Sequence, residues 1–174
     1  MITLRCTRRL LERSGVSAKG EAIPPTTVLG DWYANLIYAR PQQLALCMNE
    51  RSLLVVMLPA RDFKNVAPRL RAQVASLLTR IGVPPAAVAV EEEAMQEFRF
   101  GPTANRKVLG CLNEAAFALS YELENPRLGS VAAIEDYFCA YIYRTTKYRP
   151  PADLARELFA ATGLATGASV TRIH

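Results

Sequence analysis

The densest set of side chains able to do chemistry lies in one short stretch, Thr103-Ala104-Asn105-Arg106-Lys107-Val108-Leu109-Gly110-Cys111-Leu112-Asn113-Glu114. At about 100° per residue on a helix, Leu109, Leu112, Ala116, Leu119 and Leu123 form an apolar stripe. Arg106, Gly110, Asn113 and Phe117 form a second stripe beside it, while Lys107, Glu114 and Glu122 turn towards water. Glycine inside a helix costs about 1 kcal/mol relative to alanine, so Gly110 calls for a reason. Either another backbone packs closely there, or a ligand enters a notch walled by Arg106 and Asn113. A guanidinium in a helix's first turn suits a phosphate or carboxylate. The alternative is that Arg106 and Asn113 merely tie down loop backbone, and the stretch carries no glycine-rich phosphate motif.

Three further groups of polar residues are candidates to join that notch. Arg5 and Thr7 flank the end of a first strand, Trp32, Tyr33 and Asn35 lie in a second, and Asn49 and Glu50 follow a third. Together with Asn105 they form a candidate binding set, in which Arg106 would hold an oxyanion, Asn113 and Asn49 orient it, and Glu50 act as base. Taken singly, each has a plainer role as helix cap, aromatic core anchor or turn. The familiar catalytic templates are missing. The only histidine is His174, so no Ser–His or Cys–His pair exists inside the chain, and no Cys/His spacing suggests a metal ligand set. No cofactor or metal is expected.

The elements that must position these groups follow from periodicity and punctuation. Ile2 to Cys6 alternates as a strand. Thr7 caps a short helix, Arg8 to Arg13, ended by Gly15, and residues 16–30 form a loop rich in Gly and Pro. Asp31 to Ala39 and Leu44 to Met48 pair as a hairpin across a turn at Pro41-Gln42, and Leu53 to Leu58 is a further candidate strand. Asn65 caps a helix ended by Gly82, with Arg69, Arg71 and Arg80 expected towards water. Pro84-Pro85 breaks the chain ahead of the acidic Glu91 to Glu93. Phe98 to Phe100 is a short strand or an anchoring turn. Three helices follow: Asn105 to about Glu124, Ser130 to about Ile142, and Ala152 to Thr162. The expected fold is α+β, a single domain over residues 1–163. A small mixed or antiparallel sheet of three to five strands packs with four or five helices around Leu36, Leu46, Val55, Leu77, Leu109, Leu112, Leu119 and Phe138, and residues 164–174 form a loose tail.

The whole chain has 174 residues, 51% of them hydrophobic and 21% charged, which suits one core and argues against disorder. No run of about eighteen apolar residues is present, so no membrane-spanning helix is expected. The arginine-rich start lacks the apolar core of a signal peptide, so a cytoplasmic location follows as an expectation. Cys6, Cys47, Cys111 and Cys139 each lie among apolar neighbours and read as reduced, buried thiols. The net charge of +5 is uneven. Residues 1–87 are strongly basic and the remainder slightly acidic, a balance that suits an anionic partner or an ordinary solvated surface.

Four fragments carry a resemblance: Leu4-Arg5-Cys6-Thr7, Gly30-Asp31-Trp32-Tyr33-Ala34-Asn35-Leu36, Met48-Asn49-Glu50 and Asn105 to Glu114. In this order, over roughly residues 1–160, the chain resembles the DUF6933 family of bacterial proteins. Some members of that family are joined to, or encoded beside, plasmid or mobile-element proteins of the pRiA4b ORF-3 type. Where relatives carry Ser-Met-Asn-Asp, this chain has Cys111-Leu112-Asn113-Glu114, which keeps the amide and the acid. The resemblance implies one fold and gathers the polar groups on one surface, without bringing an activity. Two functions follow as expectations. One is an accessory or binding module of a mobile-element or defence system, contacting nucleic acid or a partner protein. The other is a small metal-independent enzyme, such as a toxin-like ribonuclease or phosphate-handling enzyme, built on Glu50, Arg106 and Asn113.

Overall fold

The computed structural model describes residues 1–18, 23–39, 42–124 and 127–163. Five strands form one mixed sheet: β1 Ile2–Cys6, β2 Trp32–Ala39, β3 Gln42–Asn49, β4 Val55–Pro59 and β5 Phe98–Pro102, in the order β4-β3-β2-β1-β5. β1 lies parallel to both β2 and β5, and the β2-β3-β4 meander is antiparallel. Among the described residues there are six α-helices: α1 Arg8–Ser14, α2 Val66–Arg80, α3 Pro85–Ala94, α4 Arg106–Glu124, α5 Val131–Cys139 and α6 Pro151–Ala161. The α+β expectation holds, with one helix more than anticipated.

Strand alternation divides the core in two. On one face Ile2, Leu4, Cys6, Trp32, Ala34, Leu36, Cys47, Val56 and Leu58 pack with Leu10 of α1, the α2 stripe Leu70, Val74, Leu77 and Leu78, and Phe159 of α6. On the other, Tyr33, Ile37, Leu46, Met48, Val55 and Met57 meet Val108, Leu112, Ala115 and Leu119 of α4 and Phe138 of α5. β1 gives this second face only Thr3 and Arg5, so its surface turns polar there. Of the expected core, Leu109 is half-buried and the rest is buried.

Several local expectations change. Pro85 does not break the chain; it opens α3, where a missing N–H costs nothing. Leu53 is not strand but sits at φ 61° in the turn before β4. α5 stops at Cys139, short of Ile142. Arg69 donates to the carbonyls of Pro59, Arg61 and Asp62 rather than standing free in water, and Arg80 bonds Glu135 and Asp136. Glu122 is buried and accepts from the Arg127 backbone N–H at 2.6 Å and from its guanidinium. The turn at Pro41, the stop at Asn125-Pro126, the tail 164–174 and His174 lie outside the described residues.

Candidate functional site

The polar groups anticipated at the ends of the strands do meet, through a residue the sequence reading passed over. Asp31, buried just before β2, accepts Thr3 N–H at 2.9 Å through Oδ1 and the Arg5 guanidinium at 2.8 Å through Oδ2. Its backbone is held as well: Asp31 N–H donates to Glu50 Oε1 at 3.0 Å, and its carbonyl accepts from Glu50 N–H and Asn49 Nδ2. Asn49 is fully buried. Its Nδ2 also donates to Leu29 O, while its Oδ1 accepts from Arg51 N–H, Ser52 N–H and Ser52 Oγ, shaping the turn into β4. Gly30 has φ +78°, and a Cβ there would lie 2.6 Å from Glu50 Oε1. The fragment Gly30-Asp31 therefore needs its glycine on two counts.

The neighbouring residues close the same knot. Thr7 Oγ1 donates to Asn35 Oδ1 at 3.1 Å. Asn105 N–H donates to the Tyr33 hydroxyl at 3.1 Å, and Asn105 Oδ1 accepts from Lys107 N–H and Val108 N–H, which starts α4. Burial pushes the Tyr33 hydroxyl up from its ordinary value. Trp32 is wholly buried, with its indole N–H unpartnered. Arg5, Asn49, Glu50, Tyr33, Thr7, Asn35 and Asn105 thus spend polar atoms on the protein's own backbone and side chains.

The α4 notch stands apart from them. Arg106, Gly110 and Asn113 are exposed, and Phe117 is 80% exposed. A Cβ on Gly110 would meet nothing within 4 Å. Arg106 and Asn113 make no side-chain hydrogen bond among the described residues, so the notch is neither plugged by main chain nor enclosed. Glu50 instead lines a shallow depression with Arg51, Asn105, Lys107, Cys111 and Thr145 that includes neither Arg106 nor Asn113. The structure does not gather Glu50, Arg106 and Asn113 around one cleft.

A larger cavity, about 630 Å³, opens at the end of the sheet where β2 and β4 finish and β3 begins. Its floor is Leu10 of α1 and Leu36 of β2, both buried. Pro59 and Ala60 form a wall, and Arg13, Ser14, Gln43 and Arg61 supply the polar rim. Arg13 Nε donates to Gln43 Oε1 at 3.4 Å, a long contact, and neither Arg13 nor Arg61 has an ion pair among the described residues. Among the described residues no carboxylate lines the cavity. Arg9 of α1 lies 4.5 Å above the Tyr38 ring, and Lys64 approaches Gly15 just past the end of α1. The sequence reading missed this site because residues 13, 43 and 61 share no local spacing; the excess charge of the first half was its only trace. Among the described residues no group of His, Cys, Asp and Glu is placed to hold a metal, and no helix is long and apolar enough to cross a membrane.

A mixed five-stranded sheet helical on both faces, with a cationic cavity at one end and a knotted polar loop beside β1, defines the class. Residues 3–154 match the family model described as a domain of unknown function, DUF6933, and the chain belongs to that family. No curated protein and no solved structure matches it.

Proposed function

We propose that the chain is a binding module for an anionic partner, nucleic acid above all, rather than a catalyst. The observation that carries this reading is the cavity lined by Arg13 and Arg61 with no carboxylate in its walls among the described residues. Several other arginines are matched with acids, Arg5 with Asp31, Arg80 with Glu135 and Asp136, Arg127 with Glu122, whereas Arg13 and Arg61 have no such pair among the described residues. Unmatched guanidinium groups around an apolar floor favour a ligand that brings its own negative charge. The basic first half of the chain, which includes Arg9 and Lys64, adds a field that draws polyanions.

The enzyme reading needs an acid or base free to move a proton next to an anion-holding group. Glu50 is bonded to Asp31 N–H, and Arg106 and Asn113 stand on an open helix face, so the geometry gives that reading less support. A role in a mobile-element or defence system belongs to the resemblance alone. The test is fluorescence anisotropy with single-stranded RNA and DNA across a salt series. Binding at low salt that weakens linearly in log Kd against log salt is expected. Absence of binding to either polymer at low salt would remove the proposal.

A further inference from the structure

We infer that the cavity between α1 and the β3–β4 ends seats one nucleotide unit, phosphate at its rim and base on its floor. The inference rests on the anion-binding reading and names the ligand of that same site. Three observations carry it. The first is size: about 630 Å³ falls inside the ~300–1,000 Å³ of small-molecule sites, far more than a bare phosphate fills. The second is the division of the lining. Leu10, Leu36, Pro59 and Ala60 give an apolar surface for a flat ring, while Arg13 and Arg61 can grip phosphate oxygens from the rim.

The third is the hydrogen-bonding capacity left over. Gln43 Oε1 receives Arg13, and its Nε2 donates to nothing among the described residues. Ser14 Oγ gives its proton to Leu10 O at 2.7 Å, which leaves its lone pairs to accept. A donor and an acceptor beside an apolar floor suit the edge of a base, which carries both. A bare phosphate, whose oxygens mainly accept, could use the Gln43 amide donor but has little use for the Ser14 lone pairs. Antiparallel pairing fixes this arrangement, because Ala60 N–H donates to Gln43 O at 2.8 Å and so continues the β3–β4 ladder to the cavity wall.

The experiment is isothermal titration calorimetry of the full chain with AMP, CMP, adenosine and inorganic phosphate, next to a single-stranded RNA oligomer. A nucleoside monophosphate is expected to bind at least tenfold more tightly than adenosine or inorganic phosphate. Arg61→Ala should weaken the nucleotide and the phosphate alike, whereas Gln43→Ala should weaken the nucleotide more than the phosphate. Arg61 and Gln43 lie outside the core, and a far-UV spectrum and thermal melt of each variant confirm folding. Inorganic phosphate binding as tightly as the nucleotides would overturn the inference, leaving a bare anion site. RNA binding without any nucleotide binding would overturn it too, while the polyanion reading stands. Binding of neither would overturn both.

Discussion

Three of the four fragments that carry the family resemblance build the knot around Asp31. Arg5 is 14% and Asp31 2% exposed, and removing one partner of such a pair leaves a charge without compensation. Asp31→Ala should therefore cost about 3 kcal/mol, read as a shift in the urea midpoint. Gly30→Ala meets both a left-handed backbone and a contact at 2.6 Å, and should cost roughly 1–3 kcal/mol in the same assay. Gly110→Ala should go the other way, raising stability by up to about 1 kcal/mol, because its Cβ enters open solvent on a helix. The sequence made Gly110 conspicuous and Gly30 ordinary. Helical periodicity exposes a misplaced glycine, whereas a loop glycine's worth depends on a neighbour twenty positions on. The thiols were easier to read: burial raises Cys6 and Cys139 to about 12, so a thiol reagent near neutral pH should label the native chain far more slowly than the unfolded one.

Two buried carboxylates join distant elements, and neither announces itself in sequence. Glu91 of α3 accepts Val28 N–H at 2.7 Å and Leu29 N–H at 3.1 Å, clamping the loop that delivers Asp31. Glu135 of α5 accepts Met57 N–H at 3.0 Å, covering a backbone donor on the β4 edge that would otherwise invite another strand. The run Glu91 to Glu93 reads simply as an acidic stretch, and its first member is 1% exposed. Only the helical phase of α3, hidden behind two prolines, separates it from its neighbours. Burial raises the Glu91 carboxyl above its ordinary value of 4.5 despite the two backbone donors. The folded state therefore holds this proton more tightly than the unfolded one. The contribution is fullest below about pH 4.5 and declines as pH rises through the folded value. Relative to Glu91→Gln, the natural chain should lose stability over that rise, measured as urea midpoints from pH 4.5 to 7.5; parallel curves would contradict the assignment.

At the scale of the molecule, local pattern conveys the elements and withholds the site. Strand alternation at Ile2–Cys6 and Trp32–Ala39 and the helical stripe from Leu70 to Leu78 were legible, because each is a local period. The cavity was not, because Arg13, Gln43 and Arg61 converge only after β1 pairs parallel with β2 and the meander folds back on itself. Net charge gave its sign and the half of the chain that holds it, but no position. The most direct measurement sets the cavity against the α4 face: Kd for single-stranded RNA at low salt for the natural chain, for Arg13→Ala/Arg61→Ala, and for Arg106→Ala. The account predicts at least a tenfold loss in the double variant and less than a twofold change in the single one. A tenfold loss from Arg106→Ala with the double variant unaffected would contradict it and move the binding surface to the helix.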